Sequence, residues 1–250
     1  MNSIHHSAIP DVEKSVNAAL FSSPKLQDPA ARFSLGEFYS VWEGIQPENA
    51  LILMYGDRCT TELAQRILQR FLLAQEPILI LDACSDFSIP LFTRMAQRLG
   101  QGPEKFLRSI RMSRASTCNQ VISLMDRVLE VSRKHKPALV VALGPMTPFY
   151  DERVARAEAD RWFDKFRDQI HRLSEMGVQL LLACPETPSK RRPNYLEDLK
   201  SDALIRLVCE RGTDSQVLLH LESPEEFKQS WSLAPNLAPS VRYSRQLRLF

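Results

Sequence analysis

Four near-continuous apolar runs alternate with segments of helical periodicity, and this alternation limits the possible folds of the chain more than any other feature. The apolar runs are residues 51–55, 78–81, 138–143 and 178–183. Such runs are typical of parallel strands that are buried on both faces. Apolar residues at helical spacing predict helices at 62–74, 89–99, 119–134 and 158–176. The repeated strand–helix units predict an α/β fold, a mostly parallel sheet with helices on both faces.

The two ends of the chain differ from this central part. Residues 1–32 contain three prolines and predict an N-terminal arm. Two short apolar runs, 203–209 and 216–221, flank a polar segment with a glycine and predict an antiparallel hairpin. The core domain is therefore expected at 33–226, with a C-terminal tail at 227–250.

Composition limits the function classes. A chain of 250 residues with 44% hydrophobic residues fits one globular domain. No run approaches the length of a membrane span, and the first residues lack a secretion signal, so no membrane role is expected. Five scattered cysteines without a CxxC pair predict reduced thiols, a cytoplasmic location and no structural zinc. The net charge of +2 means that any nucleic-acid footprint has to be local.

The junction after the first apolar run decides whether the chain can hold a nucleotide. Phosphate-binding NTPases carry G-x-x-x-x-G-K-[ST] at a junction of this kind, where backbone N–H groups and the lysine hold phosphates. Here Gly56-Asp57 is followed by Arg58-Cys59-Thr60-Thr61, without a second glycine or a lysine. No lysine lies anywhere between Lys25 and Lys105. Thr60 and Thr61 are expected to cap the helix that follows.

Several segments resemble, in order and spacing, the RecA-like recombinase superfamily, and within it the RadA type and its paralogs. Residues 33–49 are similar to the family's stretch that opens the ATPase core, and 98–111 to its "R-G-L-D-P-D-x-V-L-x-N-I". Residues 113–120 resemble "A-R-A-x-N-x-x-H-Q", and 221–224 the closing "D-S-P". The resemblance covers about residues 33 to 226. It implies a RecA-like P-loop NTPase-type fold, a mostly parallel sheet flanked by helices with a C-terminal antiparallel hairpin.

The departures from this family fall on its chemistry. Hydrolysis of ATP requires a lysine on the phosphates, a residue that orients the attacking water and an acidic residue near magnesium. By the resemblance, the lysine position is Thr60, the water-orienting glutamate is Cys84, and the glutamine that senses the γ-phosphate is Glu186. The run 138–143 leads into Gly144 without the expected aspartate. No ATPase activity and no cofactor are therefore expected. The vestigial nucleotide site is Gly56, Asp57, Thr60, Thr61, Asp82, Cys84 and Glu186.

The loop after the fourth apolar run is the candidate DNA contact. In the family, the loop at this place carries DNA contacts, and here it contains three consecutive cations, an asparagine and a tyrosine. Cations neutralise phosphates and an aromatic ring offers a stacking face. An ordinary solvated basic loop is the alternative. The predicted DNA-binding residues are Lys190, Arg191, Arg192, Asn194 and Tyr195. A second basic concentration, at 105–136, either decorates the surface or faces a partner or DNA.

Together these features predict a catalytically silent RecA-like protein, an accessory or paralog in recombination or DNA repair. Its expected partners are single- or double-stranded DNA, a catalytic recombinase, or further copies of itself. One alternative is a structural subunit of a RecA-like or KaiC-like ring or filament without a DNA role. Another is residual nucleotide binding through the amides of a helix N-terminus alone.

Overall fold

One eight-stranded sheet runs through the part of the chain that the structure, a computed structural model, describes: residues 51–186, 192–212, 217–223 and 230–233. The strand order is β3-β2-β4-β5-β1-β6-β7-β8. The first six strands in this order are parallel neighbours, and β7 and β8 are antiparallel additions. The strands are β1 Leu51–Gly56, β2 Ile78–Asp82, β3 Ile110–Arg114, β4 Leu139–Leu143, β5 Leu180–Pro185, β6 Ile205–Arg211, β7 Val217–Ser223 and β8 Ser230–Leu233.

Helices cover both faces of the sheet, as the alternation of runs predicts. The helices are α1 Cys59–Ile67, α2 Gln69–Leu73, α3 Ile89–Arg98, α4 Pro103–Leu107, α5 Cys118–His135, α6 Arg156–Glu175 and α7 Tyr195–Asp202, with a 3₁₀ turn at Thr147–Tyr150. One core cluster joins one face of the sheet to α1 and α3, and the other cluster joins the opposite face to α5, α6 and α7. In β1, Ile52 and Met54 enter the first cluster while Leu53 and Tyr55 enter the second. Since side chains alternate across a strand, a strand buried on both faces has to be apolar throughout.

The four predicted strands, the helical segments between them and the C-terminal hairpin are confirmed. Two predictions of local structure are wrong in detail. The helix expected at 62–74 starts three residues earlier and is divided into α1 and α2. Strand β3 was not predicted, because it lies at the sheet edge and its residues alternate between half-buried Ile110 and Met112 and exposed Arg111 and Ser113.

The sheet also extends past the predicted end of the core at residue 226, since β8 pairs with β7. The predicted arm at 1–32, and the tail apart from 230–233, lie outside the described residues. Among the helices within the described ranges, none is both long enough and apolar enough to cross a membrane.

Candidate functional site

The candidate site lies at the carboxyl ends of β1 and β5. The connection after β1 leads to α1 on one face of the sheet, and the connection after β5 leads to α7 on the other. In open α/β sheets, ligands bind where adjacent strands diverge in this way. Residue Gly56 ends β1, and Glu186 follows β5 directly. The backbone N–H of Glu186 donates to the Gly56 carbonyl at 2.7 Å, so the two strand ends are tied together.

Only Asp57 and Arg58 separate β1 from α1, so the turn is as tight as the sequence predicts. The Asp57 N–H donates to the Cys209 carbonyl on β6 at 2.8 Å, and the Thr60 N–H donates to the Asp57 carbonyl at 2.9 Å. Gly56 has a φ of +118°, and a Cβ there would lie 2.1 Å from the Cys209 oxygen. The turn is therefore pressed against β6, and two amides that a phosphate-binding loop would offer to a ligand are already bonded.

The two threonines do not cap α1, and this prediction is wrong. The residue before the helix is Arg58, and both hydroxyls donate hydrogen bonds instead of accepting them from N–H groups. The hydroxyl of Thr60 donates to the Asp57 carbonyl at 2.6 Å. The hydroxyl of Thr61 donates to a carboxylate oxygen of Asp86 at 2.9 Å. Helix N-termini attract anions, and here the chain supplies its own carboxylate to the first turn of α1.

A second contact, made by Gln65, holds the segment after β2 against α1. The side chain of Gln65, only 1% exposed, donates to the Asp86 carbonyl at 3.0 Å and accepts from the Ser88 N–H at 2.8 Å. The residues Gln65 and Asp86 carried no signal in the sequence, because neither belongs to a motif. Their contact depends on the packing of the loop after β2 against α1, which no local sequence pattern records.

Asp82 organises the same loop from inside. Its carboxylate is fully buried and accepts hydrogen bonds from Asp86 N at 3.1 Å, Phe87 N at 3.3 Å and Arg114 Nε at 3.2 Å. These bonds give Asp82 a structural role, because they occupy the carboxylate oxygens that a metal ion or a water molecule would need. Within the described part of the chain, no group of three or more His, Cys, Asp or Glu side chains is placed to hold a metal ion.

Cys84, which the resemblance places at the position of a water-orienting glutamate, is a half-buried thiol. A Cβ on Gly144 would lie 2.5 Å from the Cys84 Cβ, so the glycine makes room for this side chain. Burial, and after it the charges of Asp86 and Asp82, raise the pKa of the Cys84 thiol. A thiol that stays protonated at neutral pH is a poor nucleophile. Cys59 at the turn is buried as well, and burial also raises the pKa of its thiol.

Charged residues of both signs surround the turn. The Asp57 carboxylate lies in the turn and accepts from Arg211 N at 2.6 Å. The Asp86 carboxylate accepts from Thr61 in the first turn of α1, and Glu186 is exposed, with its backbone N–H bonded to Gly56. Arg58 is exposed in the turn itself, and the charge of Arg211 acts on Cys59.

The structure divides the predicted DNA-binding residues. Lys190 and Arg191 lie outside the described residues. The Arg192 guanidinium is partly buried and donates to the carbonyls of Asp151 and Val154, so it fastens the end of the loop to the body. Asn194 is exposed, and its amide approaches Glu197 at 3.4 Å.

Tyr195 is contradicted as a stacking platform. Its ring is 2% exposed and lies 4.5 Å from the Phe163 ring, centroid to centroid, and its hydroxyl donates to Asp160 at 2.5 Å. No ring face is left for a base. Tyr195, Leu196 and Leu199 are all buried on α7, and their helical spacing in the sequence indicates a core position for Tyr195.

Comparison with known proteins gives no further identification. No protein-family model matches the chain, and no curated protein matches it significantly.

Proposed function

We propose that this chain is a catalytically silent RecA-like accessory protein of recombination or DNA repair, which acts by binding DNA, a catalytic recombinase, or both. The observation that carries the silent half of this proposal is the closed turn between β1 and α1. The backbone N–H groups of Asp57 and Thr60 are hydrogen-bonded within the chain, and the Thr61 hydroxyl donates to the Asp86 carboxylate.

The chemistry of ATP hydrolysis supports this reading. Phosphoryl transfer depends on positive charge that stabilises the developing negative charge on the phosphates. At this turn the sequence has Thr60 in the lysine position, and Asp57, Asp86 and Glu186 surround it. Binding through helix amides alone is disfavoured for the same reason, since a triphosphate would have to displace Asp86 from α1. The five cysteines are free thiols, which fits a reducing compartment such as the cytoplasm.

The DNA half of the proposal is carried by the position of Lys190 and Arg191. Both belong to the connection between β5 and α7, which leaves the sheet at its carboxyl edge beside Glu186. Arg192 and Tyr195 anchor the far end of this connection to the body. Cations in this connection can neutralise the phosphates of a nucleic acid. Asn194 is the further polar contact we propose there.

Two measurements test this function. Isothermal titration with Mg-ATP is expected to give no binding in the micromolar range, and micromolar affinity would overturn the silent site. Fluorescence anisotropy with labelled oligonucleotides tests the loop. Replacing Lys190 and Arg191 by alanine is expected to weaken binding at every sequence and to flatten the salt dependence by about 1.5–2 units of slope. The charge-matched control is Arg161→Ala with Arg172→Ala, two exposed arginines of α6.

The alternative is a structural subunit of a RecA-like or KaiC-like assembly without a DNA role. One observation favours it: among the described strands, β3 pairs only with β2, so its outer edge offers unpaired backbone groups. Such an edge is a template for another chain. Multi-angle light scattering separates the two functions, because a defined oligomer without DNA affinity supports only the alternative.

A further inference from the structure

The helix–strand–helix segment between Lys105 and Lys136 concentrates positive charge. It contains eight Lys or Arg and two Asp or Glu, in a chain whose whole net charge is +2. Both acidic residues are already engaged. Glu130 pairs with Lys134 at 2.7 Å, and Asp126 lies 3.4 Å from Lys165 and accepts from Gln169. Of the eight cations, Lys134 pairs with Glu130 and Arg114 with Asp82, and the other six form no salt bridge with a described residue.

The fold brings cations from two elements to one edge of the sheet. The starts of β3, β2 and β4 are joined, because the Ile78 N–H donates to the Ser109 carbonyl at 2.8 Å and the Ala138 N–H to the Pro77 carbonyl at 3.0 Å. Arg108 precedes Ser109 directly, and Lys136 lies two residues before Ala138. Since neighbouring strands are about 4.8 Å apart, the two backbones are separated by about 10 Å across the β2 start.

Two more arginines complete the surface. Arg111 stands opposite Leu79 in the β3–β2 register, and thus on the sheet face that α5 covers. Arg133 lies in the last turn of α5. All four side chains, Arg108, Arg111, Arg133 and Lys136, are exposed, and none forms a salt bridge with another described residue. We call this set the amino-end surface.

Stabilisation of helix ends explains only part of this set. Cations at a helix C-terminus interact favourably with the helix dipole, which accounts for Arg133 and its neighbour Lys134. Arg111 lies inside a strand, and Arg108 follows α4, a helix of only five residues. A requirement for cations at a helix end does not extend to these two positions.

The chemistry of the amino-end surface fits nucleic acid better than protein. The large hydrophobic side chains that stand exposed on the described residues are Ile89 and Leu204, and neither belongs to it. Protein interfaces are centred on apolar and aromatic anchors and deplete charge there. Protein–nucleic-acid interfaces are more polar and much more positive, and phosphates take most of their hydrogen bonds.

We propose that the amino-end surface binds the sugar–phosphate backbone of a nucleic acid, without reading its sequence. It lies at the opposite end of the strands from Glu186 and from the turn between β1 and α1. The inference is therefore independent of the proposed function and would hold for a chain with any other role.

The test uses the full chain and fluorescence anisotropy with a labelled duplex and a labelled single strand, over a series of salt concentrations. The variant is Arg111→Ala with Lys136→Asn, where asparagine suits the positive φ of 37° at position 136. Each lost phosphate contact on a duplex lowers the salt slope by about 0.9, so the slope is expected to flatten by about 2 units. Affinity at low salt is expected to fall about tenfold or more. The charge-retaining variant Arg111→Lys with Lys136→Arg is expected to bind like the unchanged protein.

The Arg161→Ala, Arg172→Ala protein is the matched control, because it removes two positive charges from exposed positions of α6. Thermal melting checks that each variant folds. Equal weakening by this control would reduce the effect to overall charge and overturn the proposal. Loss of binding in the Lys190→Ala, Arg191→Ala protein, with no loss in the Arg111→Ala, Lys136→Asn protein, would place the nucleic acid elsewhere and overturn it too. Binding of poly-glutamate but of neither oligonucleotide would assign the surface to an acidic protein instead.

Discussion

The Thr61 hydroxyl donates to the Asp86 carboxylate at 2.9 Å, and this bond closes the first turn of α1 with a group from the loop after β2. The two residues are 25 positions apart. By the resemblance described above, they lie in the segments predicted to correspond to a phosphate-binding turn and a water-activating loop. Their direct contact makes the site self-contained, because the anion attracted by the helix end is part of the chain.

A double-mutant cycle measures this contact. Thr61→Val keeps the shape of the side chain and removes the hydroxyl, and Asp86→Ala removes the carboxylate. The two changes are expected to be non-additive by about 1 kcal/mol in the free energy of unfolding, which urea titration determines. Neither variant is expected to gain affinity for Mg-ATP, since no lysine is present. Strict additivity would show that the bond contributes nothing.

Gly56→Ala is expected to be strongly destabilising. The residue has a φ of +118°, and the new Cβ would lie 2.1 Å from the Cys209 oxygen, a backbone atom that cannot move alone. Strain and overpacking together predict a loss of about 2–5 kcal/mol. Gly100→Ala is the control, because Gly100 also has a positive φ, +64°, but has nothing within 4 Å of the added Cβ. Its cost is expected to be about 1 kcal/mol, and equal costs at both sites would contradict the crowding argument.

Asp82→Ala is expected to destabilise the protein, although the sequence predicts Asp82 as part of a vestigial nucleotide site. The change leaves the amides of Asp86 and Phe87 without their acceptor and frees Arg114. The loss of several part-buried hydrogen bonds to one charged acceptor predicts a decrease of about 2–4 kcal/mol in the free energy of unfolding, measured in urea. Asp168→Ala, at an exposed carboxylate of α6, should change stability by less than about 0.5 kcal/mol. If Asp82→Ala left the free energy of unfolding unchanged, Asp82 would again be a candidate ligand residue.

Tyr195→Phe and Tyr195→Ala separate a core residue from a DNA contact. The alanine variant is expected to lose about 3–5 kcal/mol, because it empties a site shared with Phe149 and Phe163. The phenylalanine variant loses only the bond to Asp160, about 1 kcal/mol. Folded Tyr195→Phe protein is expected to bind single-stranded DNA as the unchanged protein does. A large loss of binding in that variant would restore a direct role.

Stability is expected to decline at alkaline pH. Burial raises the pKa of every thiol, that of Cys118 to about 11, above the ordinary value near 8.5. The native state thus keeps protons that the unfolded state releases. The contribution of each thiol is complete below pH 8.5 and diminishes as the pH rises toward the native pKa.

Urea unfolding in reductant, between pH 7 and 10.5, checks this expectation. Each fully buried thiol should remove about 1.4 kcal/mol per pH unit above pH 9. Cys184→Ala removes a thiol that is only 1% exposed. It should reduce the slope of the free energy of unfolding against pH by the contribution of one proton. A free energy of unfolding that stays level from pH 8 to 10.5 would show that the thiols ionise in the native state.

The sequence by itself determined the strands that are buried on both faces and the helices between them. In β1, β2, β4 and β5 nearly every position is apolar, Asp82 at the end of β2 being the charged exception, so burial leaves a local pattern that needs no knowledge of neighbours. The sequence also showed the missing lysine, because an absent side chain is visible without any geometry. It did not show β3, since an edge strand covered on one side shares its alternation with ordinary surface segments.

Only the tertiary structure decided what the polar residues do. Arg192 meets carbonyls 41 and 38 positions earlier in the chain, and Tyr195 reaches Asp160 across 35 positions. The sequence predicts both as DNA contacts from their place in a basic loop. In the structure, Arg192 holds the end of the loop against the body, and Tyr195 belongs to the core. Hydrophobic periodicity records whether a position is buried, but not which element lies beside it. Partners of buried polar groups, and the placement of Arg108 and Lys136 at the same end of the strands, follow from the strand order, which no local pattern contains.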